Sequence, residues 1–444
     1  MNTLFPFADF VWILQKEEYE TGRYLYWLRR FFFRRNFVVS EKLVYTARAR
    51  ATLALAATLW FGALTTVVLA YASIFVWFLA PLVSLVAIPL FVLLANLLLL
   101  PAFALAHARV RRRARALVAA HAQMRVVAIV GSYGKTTTKH LLYDLVRYHR
   151  RTQMTPGTIN TTTGIAAWLA QELAPATELL IIEMDAYHAG EIAASCQITP
   201  PDIVIVTNIG EQHLARFGTH DALRRAIGEA VTCARPGALI VADEATVEQM
   251  REFAAGRTLL VAETGRLMYE QAPLAAPTLS SSNQENLARA LIVAEQVHIP
   301  RTFVEDTVAH FSLPDRRQKM TRLYGYEALD DSFNISLSTA RAGLAAARAL
   351  ADAKGKKLLV VAAGIPELGP EEQDGNVELG KSIAGVADHT VVLGTMFADE
   401  IERGLGSAPH TRYPRLESFL ADSEKFPKEG WVLLLEPALP DLYY

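Results

Sequence analysis

Arg125-Val126-Val127-Ala128-Ile129-Val130 runs directly into Gly131-Ser132-Tyr133-Gly134-Lys135-Thr136-Thr137-Thr138, and this stretch decides the fold. Its first part is an uninterrupted apolar run of strand length, and the residues from about Thr136 to Tyr148 read as a helix. The glycines between them let backbone amides turn toward phosphate oxygens, and the helix that follows presents its positive end to the same place. In such a loop Lys135 neutralises the β- and γ-phosphates and the Thr136 hydroxyl is a ligand for Mg²⁺. The general consensus puts a further glycine where Ile129 stands, so this is a shortened phosphate loop.

Downstream, Leu179–Met184, Asp202–Ile209 and Ala238–Ala242 are further apolar runs of strand length, with helical segments such as Ala222–Cys233 between them. Strands that alternate with helices predict an α/β fold, a parallel sheet covered on both faces. Leu313-Pro314-Asp315 marks a boundary. Beyond it Leu358–Ala363, Thr390–Leu393 and Trp431–Leu435 alternate with helical stretches such as Thr339–Ala353, which predicts a second, C-terminal Rossmann-like α/β domain.

Upstream the composition changes. No Asp, Glu, Lys or Arg occurs between Arg50 and Arg109, a run long enough for two transmembrane helices with a turn at Pro81. Arg48 and Arg50 precede it and Arg109, Arg111, Arg112, Arg113 and Arg115 follow it, so both ends are expected on the cytoplasmic side, with anionic lipid headgroups against the arginines. The segment Tyr24–Arg35 mixes aromatic rings with arginines, as interfacial amphipathic helices do. The expected division is 1–50 interfacial segment, 51–108 transmembrane hairpin, 109–122 basic linker, 123–314 ATP-binding domain and 315–444 C-terminal domain. A formal net charge of −1 gives no support for a nucleic-acid partner. The two cysteines, Cys196 and Cys233, support neither a disulfide framework nor a zinc ribbon.

The stretch Ile129–Lys139 resembles the ATP loop of the Mur ligases of bacterial cell-wall synthesis, especially the MurF type that adds D-alanyl-D-alanine. The likeness continues in order from about Val126 to Gly394. Glu183-Met184-Asp185-Ala186-Tyr187-His188-Ala189-Gly190-Glu191 looks like that family's strand-end glutamate segment, and Asn208–Gly218, with His213, like its Asn-x-x-x-x-His-Leu segment. Asn283-Gln284-Glu285-Asn286 resembles the Asn-x-x-Asn that contacts adenine, although helix capping by Asn is a competing account. Asp330-Asp331-Ser332-Phe333-Asn334 looks like Asp-Asp-Ser-Tyr-Asn, and Ala363–Gly369 like a glycine loop of the third domain.

The resemblance implies ATP and Mg²⁺ as cofactors. Gly131, Ser132, Tyr133, Gly134, Lys135, Thr136 and Thr137 would hold the phosphates; Thr136, Glu183 and His213 would hold the metal. Asn283, Asn286, Asp331 and Asn334 would contact the nucleoside, and Arg316 or Arg317 would reach the γ-phosphate, with spacing in favour of Arg316. The implied reaction joins an amino acid or dipeptide to a carboxylate acceptor through an acyl phosphate, at the cytoplasmic membrane, with a lipid-linked wall precursor as an expected acceptor. Protein partners are not legible.

Three departures bear on this. Ile227 stands where the MurF type has a carbamylated metal-bridging lysine, with Glu229 nearby as a candidate substitute. The family's uridine-nucleotide domain has no visible counterpart. After the last strand, Glu436-Pro437-Ala438 replaces the expected Lys-Gly-Ser-Arg. A membrane-tethered NTPase scaffold or switch, and a polyglutamate-type polymer synthetase, are therefore alternatives.

Overall fold

The computed structural model describes residues 6–31, 43–71, 74–210, 214–263, 265–275, 279–333, 335–366 and 368–436. Two compact units meet in sequence at Arg109 and Val110.

The first unit is helical: α1 (Phe7–Lys16), α2 (Thr21–Phe31), α3 (Ala47–Ala70), α4 (Ile74–Val86) and α5 (Ile88–Ala120), the last running on into the second unit. Helices α3 and α5, of 24 and 33 residues, are long and apolar enough to cross a membrane by length and composition. The shorter of the two rises about 36 Å against a hydrocarbon core of about 30 Å. Only 11% and 28% of their most apolar windows is buried within the protein, and Phe61 and Leu69 of α3 and Leu90 and Leu98 of α5 point outward.

Two expectations change here. Pro81 makes no turn but lies inside α4, and the breaks fall after Ala70 and at Ala87, so the apolar run forms three helices. In an apolar segment a helix remains the way to satisfy the backbone, and one missing donor does not end it. Nor is the N-terminal segment amphipathic throughout. Phe10, Val11, Trp12, Ile13 and Leu14 of α1 are buried, and Phe7 packs edge-on against Trp60 of α3 at 5.7 Å. Helix α2 does divide its faces, with Tyr24 and Trp27 inside and Leu25 and Tyr26 outside.

The second unit opens with β1 (Arg125–Val130), α6 (Lys135–Val146), β2 (Thr152–Met154), α7 (Thr162–Glu172), β3 (Leu179–Glu183), α8 (Glu191–Ile198) and β4 (Ile203–Val206). Next come α9 (Leu214–Phe217), α10 (His220–Thr232), β5 (Leu239–Asp243), α11 (Glu244–Met250) and β6 (Thr258–Ala262). A small hairpin of β7 (Met268–Tyr269) and β8 (Ala272–Pro273) leads to α12 (Ser281–Gln296) and α13 (Arg301–His310). Strands β1 to β6 form one parallel sheet in the order β2-β3-β1-β4-β5-β6. Val126, Ala128 and Val130 of β1 enter one apolar cluster, while Val127 and Ile129 enter the other. That division explains why the strand reads as unbroken hydrophobic sequence: both faces are covered. The chain winds to one side of β1 and then to the other, which opens a crevice at the carboxyl end of β1.

The C-terminal sheet is built from β9 (Lys319–Leu323), β10 (Tyr326–Asp330), α14 (Leu337–Ala353), β11 (Lys357–Ala362), α15 (Glu372–Ala384) and β12 (His389–Leu393). It closes with α16 (Ala398–Leu405), β13 (His410–Tyr413), α17 (Leu416–Ala421) and β14 (Trp431–Leu435). The order is β13-β12-β11-β14-β10-β9, parallel except for the edge strand β9. The β9–β10 hairpin was not legible beforehand. It turns on Tyr324 and Gly325, both at positive φ (50° and 88°), in a polar run with little apolar alternation.

Candidate active site

The loop after β1 is shaped by what lies against it. Gly131 has φ 127°, and a Cβ there would come within 2.2 Å of Thr207 Oγ1; at Gly134, φ 82°, it would come within 2.4 Å of Asn286 Oδ1. No other residue fits either place. Asn208, just past β4, fastens the loop: its carbonyl accepts from the Ser132 N–H and its Oδ1 from the Tyr133 N–H, both at 2.9 Å. Helix α6 starts at Lys135, so its first turn faces the loop.

Lys135 Nζ donates to Gly131 O at 2.7 Å and Ser132 O at 3.0 Å, and pairs with Asp185 Oδ2 at 3.1 Å. Thr136 Oγ1 donates to Glu183 Oε2 at 2.8 Å. One helical turn on, the fully buried Lys139 pairs with the same Glu183 oxygen at 2.9 Å and donates to Gly157 O at 2.6 Å. Burial lowers the Lys139 ammonium from its ordinary value, and Glu183 opposes that shift. Asn160 Nδ2 bridges Glu183 and Asp185 at 3.4 Å to each. Buried cations and carboxylates thus stand in alternation at the ends of β1 and β3.

The base end of the cleft is built on α12. Ser280 caps this helix, accepting from the Asn283 N–H at 3.4 Å, so Asn283 and Asn286 are not the cap. Both side chains are buried and line the cleft instead, and Asn286 Oδ1 accepts from Thr138 Oγ1 at 3.2 Å. Arg289, 2% exposed, lines the same place and is held by Asp243 at 2.6 Å.

The C-terminal domain supplies the facing wall. Arg316 and Arg317 both line the cleft. The Arg316 guanidinium is engaged with Ser332, donating to its Oγ at 3.0 Å and its carbonyl at 2.5 Å. Arg317 stacks on Phe333, 3.8 Å from the ring centre, where the charges of Glu183 and Asp331 both reach it. Gln318 Nε2 donates to Asp331 Oδ2 at 3.0 Å, and Gln318 Oε1 accepts from Ser280 and Ser282, tying the two domains together. Burial raises the Asp331 carboxyl above the usual carboxylate range. The cleft measures about 360 Å³.

Most residues singled out by sequence therefore meet in one cleft; His213 and Asn334 lie outside the described residues. The oxygen donors Thr136 and Glu183, beside a loop that a Cβ would fill, fit Mg²⁺ and a nucleotide phosphate chain. Ile227 faces a small cavity with Ile192, Phe217 and Leu223 on one side and Ser132 and Asp185 of the cleft on the other. Glu229 does not take over the missing lysine's place: its carboxylate accepts from Gly190 N at 2.6 Å and Ala193 N at 3.0 Å, at the start of α8. Sequence reasoning gave no role to Lys139, Asn160, Asp185, Arg289 or Gln318. For Lys139 the signal was its spacing of four from Lys135 on one helix face; for Asp185 it was its place two residues past Glu183.

Residues 129–289 match the Mur ligase middle domain. The UDP-N-acetylmuramoyl-tripeptide–D-alanyl-D-alanine ligase of Mycobacterium tuberculosis is 28% identical over 246 residues, 50% of this chain and 48% of that protein. The chain thus spans about half the length of the curated relatives it matches. In fold it is similar to MurF from Acinetobacter baumannii, with a TM-score of 0.66 at 23% identity over 75% of this chain and 77% of that one. MurF from Thermotoga maritima in complex with ADP gives 0.66 at 22% identity, over 76% and 81%.

Proposed function

We propose that this protein, whose residues 129–289 match the Mur ligase middle domain, is an ATP-dependent ligase that forms an amide bond through an acyl phosphate. One observation carries this reading. Lys135, Thr136 and Glu183 from the central sheet and Arg316, Arg317 and Asp331 from the C-terminal domain line a single cleft.

Lys135 exchanges the Asp185 carboxylate for nucleotide phosphate oxygens. Asn283, Asn286 and Arg289 hold the base, and Asp331 takes the ribose. Thr136 and Glu183, with His213 as the third expected ligand, would hold Mg²⁺, which would supply positive charge at the phosphates. Arg317, already facing Glu183, stabilises charge on the γ-phosphate as a substrate carboxylate attacks it, and Arg316 fixes the loop that carries it. The amine of an amino acid or dipeptide then displaces phosphate from the acyl phosphate, and the Gln318 bridge keeps the domains closed against water.

The outward apolar faces of α3 and α5 support anchoring in the cytoplasmic membrane, with Arg109 to Arg115 at the headgroups and the α/β domains on the cytoplasmic side. That placement favours a membrane-proximal acceptor, a lipid-linked wall precursor among the candidates. Ile227, whose side chain offers no metal ligand, favours a second reading, a nucleotide-binding switch without ligation.

The test uses the intact protein in detergent micelles with Mg-ATP, candidate amino acids or D-alanyl-D-alanine, and either nucleotide-linked or lipid-linked carboxylate acceptors. Phosphate release that depends on the acceptor, with a product heavier by one amide-linked unit, is expected. Acceptor-independent release of ADP and phosphate alone would establish the switch, and a ladder of products the polymer synthetase.

A further inference from the structure

The C-terminal sheet buries two acids side by side. Asp331 follows β10 and Glu436 follows β14, neighbouring strands paired in parallel, and the Asp331 N–H donates to Leu435 O at 2.9 Å. Glu436 is 1% exposed, and among the described residues neither carboxyl oxygen has a hydrogen-bond partner. Both acids converge on one glycine of α14: a Cβ on Gly343 would lie 3.2 Å from Asp331 Oδ2 and 3.5 Å from Glu436 Oε1.

The surroundings offer little compensation. From the segment before β9 come Gln318, which donates to Asp331, and Arg317, whose charge is shared with Glu183. Strand β10 adds a third acid, Asp330, satisfied by the Ser332 N–H and hydroxyl. Helix α14 presents Gly343 and the Thr339 carbonyl, and β11 presents the Val361 carbonyl, which accepts from the Glu436 N–H at 3.0 Å. Among the described residues an ionised Glu436 would thus be a buried anion without a donor, which costs more than retaining its proton.

Resting on the nucleotide-cleft reading above, we infer that Glu436 and Asp331 hold one proton between them, with Glu436 a positioning residue whose O–H donates to Asp331 and keeps that carboxylate set in the cleft wall. The pair then carries a single negative charge. Burial raises both acids, Glu436 well above the usual carboxylate range. Glu436 supports Asp331 only while it holds its proton.

A carboxyl raised on folding keeps a proton that the unfolded chain releases. Its stabilisation is full below the unfolded value of about 4 and fades as pH rises from there through the raised range of the pair. Thermal unfolding of the full chain in detergent, without nucleotide, from pH 5 to 9 reads this directly. The wild-type midpoint should fall with rising pH, and the fall should be much smaller in Glu436→Gln. Asp331→Asn, which removes the other partner, gives an independent second slope. A wild-type slope in both variants overturns the shared proton.

Mg-ATP affinity reads the positioning. Glu436→Ala should weaken it about tenfold at pH 6.5, and Glu436→Gln should recover most of that, because its amide N–H replaces the acid's O–H. Equal affinity in Glu436→Ala and wild type overturns the positioning role. Should wild type bind no Mg-ATP while the slope difference persists, the nucleotide reading fails and the shared proton stands.

Discussion

The two strand-end clusters that face the cleft handle buried charge in opposite ways. At the central sheet each buried cation has an anion, Lys135 with Asp185 and Lys139 with Glu183. At the C-terminal sheet two acids, Asp331 and Glu436, lie together without a dedicated cation. The first cluster is neutral by pairing, so an incoming phosphate competes with the Asp185 carboxylate for Lys135. The second is kept tolerable by a proton, which ties it to pH. Similar parallel-sheet architecture thus yields one site poised for ion exchange and one sensitive to protonation.

The sharpest way to break this contrast is to unpair the first cluster. Glu183→Gln leaves the fully buried Lys139 without its counter-charge, and removal of one partner of a buried pair costs about 3–5 kcal/mol. A drop in thermal midpoint should follow, together with loss of Mg²⁺-dependent nucleotide binding. The double variant Glu183→Gln with Lys139→Met should regain much of the stability but not the binding. If it regains neither, pairing is not what holds this cluster together.

Lys135→Ala comes next. Removing a preorganised cation from a phosphate site typically costs about 10²–10³ in rate, so kcat/KM for acceptor-dependent phosphate release should fall by that order. Its neighbour Asp185 then becomes an unpaired anion at the loop, and Mg-ATP affinity should fall further than in Lys135→Ala with Asp185→Asn. Calorimetric titration of both variants separates the lost attraction from the added repulsion.

A smaller effect is expected at Ile227. Ile227→Lys would place an ammonium against Ile192, Phe217 and Leu223 in a cavity of about 10 Å³. Overpacking of this kind costs about 1–3 kcal/mol. Lower stability without gain in ligase activity is the expected outcome, measured by thermal unfolding and product formation. A faster enzyme would mean that an ammonium at this position reaches past the apolar side chains to Ser132 and Asp185, which line the same cavity.

The paired cluster was also the more legible one. Gly131 to Thr138 follow a strand and open a helix, and their roles depend on local geometry that a short window of sequence contains. Glu183 could be placed because it ends an apolar run. Asp331 was found through resemblance, but its partner Glu436 was not, because β10 and β14 are neighbours only through a parallel pairing that skips most of the C-terminal domain. Gln318, which crosses from one domain to Ser280 and Ser282 of the other, is invisible for the same reason. The membrane-length run was plain from its lack of charge, yet its internal breaks were misplaced, since proline marks an end only where water can take over the backbone.

The smallest effect concerns Glu229, which the sequence offered as a stand-in for the missing lysine. Its carboxylate meets the Gly190 and Ala193 N–H groups, and Gly190, at φ 91°, is the residue from which α8 starts. An anion there satisfies orphan donors and opposes the positive helix end, a contribution of about 1 kcal/mol. Glu229→Gln keeps the shape and removes the charge. The thermal midpoint should fall slightly and Mg²⁺ dependence of ATP binding should be unchanged. A shifted Mg²⁺ requirement would instead move Glu229 from helix end to metal, and would give the central cluster the extra ligand that the Ile227 pocket lacks.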